Sequence, residues 1–136
     1  MRNEIIPYDL ILKLFPGVAH RLDVIEHLGI PKVVSFGQDY KVIYEYPTEG
    51  IEVSIRIGEN ATLSIVKAVV LKQPFKDTNR KSLEIGMAFP KAVAICNAAY
   101  EFELDTGNSR MYSLGDPKLN LQIWNENGRL GKIEFF

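Results

Sequence analysis

The sequence predicts an α+β domain in which an antiparallel sheet carries two helices on one face. Three observations lead there. Apolar residues recur at helical spacing in two separate segments. Strand-like alternation, cut by short polar turns, follows each of them. The order helix-then-strands therefore occurs twice along the chain.

The first helix signal runs from Val18 to Leu28. At 100° per residue, Val18, Leu22, Val24, Ile25 and Leu28 fall on one side, and His20, Asp23, Glu26 and His27 on the other. Pro16-Gly17 marks its start, and Gly29 with Pro31 stops it. Tyr40 to Tyr46, rich in tyrosine and β-branched residues, is the first predicted strand and ends at Pro47. Ile51 to Ile57 alternates, with Ile51, Val53, Ile55 and Ile57 on one face and Glu52, Ser54 and Arg56 on the other. Gly58-Glu59-Asn60 reads as a turn. Leu63 to Leu71 is a further strand whose alternation is blurred between Val66 and Val70, as a bulge would produce. Lys72 to Ser82 is a polar connector, anchored by Phe75 in its middle.

The order then repeats. Phe89 to Tyr100 reads as a helix with Phe89, Ala92, Val93, Cys96 and Tyr100 on one stripe and Pro90 in its first turn. Short strands follow over Tyr100–Leu104, Arg110–Leu114, Leu119–Trp124 and Leu130–Phe136. Thr106-Gly107-Asn108, Gly115-Asp116-Pro117 and Asn125-Glu126-Asn127-Gly128 supply the turns. Leu119, Leu121 and Ile123 alternate against Asn120, Gln122 and Trp124. Gly17, Ala19 and Val24 align with Gly86, Ala88 and Val93 without a gap. The expected organisation is a single domain over residues 1–136, with one unit over about 8–71, a connector over 72–82 and a second unit over about 83–136. Neither unit can bury its helix stripe and sheet face well alone, so the two αβββ-type repeats are expected to share one sheet.

Two fragments carry a family resemblance: Val24-Ile25-Glu26-His27-Leu28-Gly29-Ile30-Pro31, and Leu83-Glu84-Ile85-Gly86-Met87-Ala88-Phe89 running into a helix and short strands. They resemble the helix-plus-sheet repeat of the β-lactamase-inhibitor-protein-like fold, also seen in small outer-membrane assembly lipoproteins. Gly86-Met87-Ala88 matches the entry of that pattern and Leu28-Gly29-Ile30-Pro31 its exit. The second helix continues into Asn97-Ala98 where the pattern has Leu-Gly. The resemblance implies a binding protein that grips another protein with a sheet face. The amino terminus carries no lipoprotein cysteine, which points away from the envelope branch.

Composition narrows the classes. Hydrophobic residues make up 46% and charged residues 24%, ordinary for a globular domain and too apolar for disorder. The net charge of -1 lacks the basic excess that phosphate neutralisation requires, so neither nucleic acid nor an anionic membrane surface is an expected partner. Arg2, Asn3, Glu4, Pro7, Asp9 and Lys13 interrupt any apolar leader, and a cytoplasmic location is expected. A single cysteine, Cys96, allows no internal disulfide and cannot alone build a zinc site.

Several residue sets bear on chemistry. His20, Asp23 and His27 recur at spacings of three, four and seven, a pattern that fits a metal or a hydrated polar face. Cys96 lies on an apolar stripe, where thiols act as small inert hydrophobes. Glu45, Glu49, Glu52 and Glu59 cluster in sequence near turns, as solvated charge would. Tyr40, Tyr44 and Tyr46 share a strand face with Val42, suited to packing under a helix with one tyrosine at the rim. Lys72, Lys76, Arg80 and Lys81 concentrate positive charge in the connector. No phosphate loop, nucleophile elbow or paired-histidine zinc signature is present in the sequence.

Trp124 stands apart. If Leu119, Leu121 and Ile123 face the helices, Trp124 faces away with Asn120 and Gln122, and an aromatic on a polar sheet face is a strong anchor for a partner. A contact with a neighbouring strand or a dimer mate accounts for it equally. Glu52, Ser54 and Arg56 are expected on the matching face of the first unit. The expected function is a non-enzymatic protein-binding domain without cofactor, such as an intracellular inhibitor or toxin-neutralising immunity protein, that uses Trp124, Asn120, Gln122, Arg56, Ser54 and Glu52. Two alternatives stay open: a small enzyme or metal-binding protein with a site between the units, and a structural homo-oligomer subunit.

Overall fold

The alternating segments become the strands of one eight-stranded antiparallel sheet in the computed structural model, which describes residues 9–58, 64–76, 83–115 and 118–136. The elements run α1 (Asp9–Lys13), α2 (Arg21–Leu28), β1 (Val33–Phe36), β2 (Lys41–Tyr46), β3 (Ile51–Ile57), β4 (Ser64–Lys72), α3 (Phe89–Ala99), β5 (Glu101–Asp105), β6 (Ser109–Leu114), β7 (Leu119–Glu126) and β8 (Arg129–Phe135). The spatial order is β1-β2-β3-β4-β8-β7-β6-β5. Each half of the chain folds as a four-strand meander, and β4 and β8 meet antiparallel at the centre. The α+β class and the antiparallel sheet are thus as the sequence predicts; the second half has the four strands that the sequence marks, and the first half has a fourth, β1, where three were expected.

One face of the sheet is packed. Val42, Tyr44 and Tyr46 of β2, Val53 and Ile55 of β3, Val69 and Leu71 of β4, Ile133 and Phe135 of β8, Leu121 and Ile123 of β7 and Tyr112 of β6 form one core. The helices complete it with Ile11 from α1, Val24 from α2, and Phe89, Ala92 and Cys96 from α3. Each such fully buried aliphatic side chain contributes about 1.5–3 kcal/mol. The α3 stripe is the one the sequence predicts. Tyr44 and Tyr46 lie in the core, and the Tyr46 hydroxyl donates to the Gly29 carbonyl at 2.9 Å. Burial, with the charges of Tyr44 and Glu49 adding to it, pushes that phenol up to about 12. Tyr40 lies outside β2, exposed.

Several local expectations are corrected. α1 is a third helix, five residues long, and its Ile11 is buried along with Leu14 just beyond. α2 begins at Arg21, not Val18. Val18 precedes the helix and is 65% exposed, while Leu22 in its first turn is 68% exposed, so Val24 alone is fully buried, with Ile25 and Leu28 half-buried. The gapless alignment of the halves also slips by one. The helix starts four residues after Gly17 but three after Gly86, so the residues in matching fourth positions are Val24 and Ala92, both fully buried, and Val93 is only half-buried. Gly17 N–H donates to the Val66 carbonyl on β4 and Gly86 N–H to the Leu130 carbonyl on β8, each at 2.7 Å. Both hold φ above +80°, a conformation glycine adopts without strain. The predicted bulge is present: Ser54 pairs Ala68 and Ile55 pairs Val66, leaving Lys67 as the extra residue. The predicted turn at Glu59-Asn60, the strand start at Leu63, the connector from Asp77 to Ser82 with Arg80 and Lys81, the turn residues Asp116-Pro117 and the first eight residues lie outside the described residues.

Candidate functional site

Strand alternation sends every second side chain to the face opposite the core. On β3 these are Glu52, Ser54 and Arg56. On β7 they are Asn120, Gln122 and Trp124. All six residues expected on the outer face are therefore there. They do not form one patch, because β4 and β8 separate β3 from β7, a span of about 14 Å at the usual strand spacing. Ser54 is also a correction: it is only 9% exposed. Ser54 is short and sits on an inner strand, directly between Ile43 of β2 and Ala68 of β4.

What lies between the two trios defines the surface. The pairing aligns one row across all eight strands: Val33, Glu45, Glu52, Val70, Glu134, Gln122, Met111 and Leu104. Its middle is acidic, with Glu52 and Glu134 flanking a buried Val70. Burial pushes the Glu134 carboxyl above its ordinary value; the negative charge of Glu52 adds to this, while Lys132 and Lys41 oppose it. The neighbouring row places Lys72, Lys132, Trp124 and Ser109 side by side on the same face. Lys72 and Lys132 are directly opposite, an arrangement that costs energy unless each finds an anion or a π face. Both do. Lys72 Nζ lies 3.3 Å from Glu52 Oε1, and Lys132 Nζ sits 4.4 Å from the centre of the Trp124 ring. Gln122 Nε2 donates to Ser109 Oγ at 2.8 Å.

Trp124 is half-buried at the end of the basic row, beside a bulge between Trp124 and Asn125. Its indole Nε1–H is shielded and has no acceptor among the described residues. A shielded donor without an acceptor costs roughly 1–3 kcal/mol, a cost that an acceptor from outside the chain would remove. A hollow of about 370 Å³ borders the basic row, with Lys72, Arg129 and Lys132 in its lining and Glu126 the one carboxylate. A larger one, about 800 Å³, opens near Tyr40, Arg56 and Lys67. Among the described residues neither lining contains a histidine, cysteine or serine.

The other sequence candidates are dispersed or engaged. His20 is the residue before α2, and its backbone N–H donates to Asp23 Oδ2 at 2.8 Å, so the carboxylate serves the helix end. His27 Nε2 lies 3.9 Å from Glu26. Among the described residues no three His, Cys, Asp or Glu side chains are grouped to hold a metal ion. Cys96 is fully buried, and burial pushes its thiol up to about 12, leaving no thiolate at neutral pH. Glu45 and Glu52 are directly opposite in the acidic row, while Glu59 lies outside the described residues.

Sequence reasoning missed Lys72, Lys132, Glu134 and Val70. The alternation Lys132-Ile133-Glu134-Phe135 carried the signal for two of them. Lys72 was hidden by its assignment to the connector, when it is the last residue of β4.

Compared with known proteins, the chain matches no family model, no curated protein and no solved structure. No helix among the described residues is long and apolar enough to cross a membrane.

Proposed function

We propose that the chain is a non-enzymatic protein-binding domain that holds its partner against the open sheet face, as an inhibitor or toxin-neutralising immunity protein does. The observation that carries this reading is Trp124. A large aromatic stands on the solvent side of the sheet, stacked by Lys132, with a shielded N–H that lacks an acceptor. Tryptophans in such settings are the residues that dominate interface energies. The adjoining acidic and basic rows fit this role, because ordered charge sets register and discriminates among partners more than it adds affinity. The likeness of the sequence to the β-lactamase-inhibitor-protein-like repeat points the same way, by analogy of fold. The reading includes a cytoplasmic location, in keeping with an unpaired, buried Cys96.

The test is affinity capture from native extract with wild type and Trp124→Ala in parallel. The expected outcome is one stoichiometric protein retained by wild type and lost with the variant, while both keep the same circular dichroism spectrum. Equal retention by both would remove the sheet face from the account. An enzymatic activity that copurifies and is abolished by His20→Ala or His27→Ala would overturn the binding reading.

A further inference from the structure

The two edges of the sheet are built differently. The β5 edge carries Glu101, Glu103 and Asp105 and has a register irregularity between Phe102 and Leu104. Charge and irregular pairing are the devices by which edges resist strand addition. The β1 edge, Val33-Val34-Ser35-Phe36, has no charged residue, no proline and an unbroken register with β2. Its side chains are open to solvent on both faces: Val34 is 47% and Phe36 81% exposed on the helix side, and Val33 is 41% exposed on the other.

The backbone of β1 also has a defined polarity. Gly37 N–H donates to the Lys41 carbonyl at 2.8 Å, which makes Gly37 and Lys41 a hydrogen-bonded pair. Alternation along an antiparallel ladder then turns Ser35 and Val33 toward β2, and leaves the N–H and C=O of Val34 and Phe36 pointing away from the sheet.

We infer that β1 is the self-association surface of this chain, pairing antiparallel with β1 of a second copy about a twofold axis at Ser35. In that register Val34 of each copy lies opposite Phe36 of the other, and these are the residues whose backbone groups point outward. The two pairs exchange four backbone hydrogen bonds. They also place a β-branched side chain against an aromatic on the helix side, a favourable cross-strand combination. Ser35 faces its own counterpart at a non-hydrogen-bonded position. Lys32 falls opposite Gln38, so no like charges are opposed. The arrangement is self-complementary and closes after two copies, whereas β1 against β5 would continue without limit. It uses none of the charged open-face residues around Trp124 and stands independently of the partner-binding role of Trp124.

The experiment is sedimentation velocity over a concentration series, with site-directed cross-linking. Wild type is expected to shift from monomer toward twice the monomer mass as concentration rises. Val34→Lys combined with Phe36→Lys, which sets lysines directly opposite one another, is expected to hold the chain monomeric throughout. Val34→Pro, which deletes an outward N–H and leaves the β2 ladder intact, is expected to do the same. Ser35→Cys is expected to form an intermolecular disulfide on mild oxidation, because non-hydrogen-bonded antiparallel pairs bring Cα atoms to about 4.5 Å. Leu104→Cys on the β5 edge is the control and is expected to remain uncross-linked. A wild type that stays monomeric at every concentration would overturn the inference. So would a dimer that survives the β1 variants, cross-links through Leu104→Cys, or dissociates with Trp124→Ala.

Discussion

The two faces of the sheet are made by the same strands and follow opposite rules. Along β8, Ile133 and Phe135 are fully buried against the helices, while Lys132 and Glu134 between them look outward. On the packed face, exclusion of water sets the energy, and shape decides which residue fits. On the open face, Lys72, Lys132, Glu52 and Glu134 are held by one another and by Trp124, at separations where solvent still weakens each pair. The packed face therefore carries stability, and the open face is free to carry recognition. Single substitutions on either face test that division.

The largest effect is expected at Leu121, which is fully buried opposite Phe135. Leu121→Ala leaves a cavity and should lower stability by about 2–5 kcal/mol, read from urea unfolding. Tyr112→Phe comes next. It removes the 2.8 Å hydrogen bond to Asn97 Oδ1 that ties β6 to α3, and should cost about 1 kcal/mol. Trp124→Ala should cost about 1 kcal/mol or less, because the residue is half-buried on the solvent side and its contact with Lys132 is partly exposed. A loss above about 3 kcal/mol there would place Trp124 among the core residues and undo the division between faces.

The smallest effect is a pH dependence. Burial and Glu52 raise the Glu134 carboxyl in the folded state, so the folded chain binds its proton more tightly than the unfolded chain does. Stability from this group is present below the unfolded value, near 4.5, and is lost as pH rises through the raised folded value. Glu134→Gln is expected to raise the melting temperature at pH 7, with the gap narrowing as pH falls toward 4. A gap that is constant across that range would show that the carboxyl is not perturbed in the folded state.

Much of the packed face was legible because period is a local property. Leu119, Leu121 and Ile123 announce their own alternation, and Phe89, Ala92 and Cys96 their helical stripe, whatever surrounds them. Short elements were not legible. α1 spans little more than one turn, and β1 lies between Lys32 and Gly37 with both faces exposed, so neither shows a period. The start of α2 was misplaced because Val18 and Leu22 complete an apolar wheel that tertiary packing does not use. On the open face, the outward direction of Trp124, Gln122 and Arg56 could be read from alternation. Which strands stand between them could not, since the β4–β8 contact joins residues sixty or more positions apart. The burial of Ser54 and the pairing of Lys132 with Trp124 both depend on that contact or on its neighbours.

If the open face holds the partner, lysine footprinting of the captured complex will show it. Lys72 and Lys132 lie on the open face, whereas Lys13 on α1 and Lys91 on α3 are exposed on the helix side. Acetylation followed by mass spectrometry should show Lys72 and Lys132 protected in the complex and Lys13 and Lys91 labelled as in the free chain. Protection of Lys13 and Lys91, with Lys72 and Lys132 still labelled, would contradict the account.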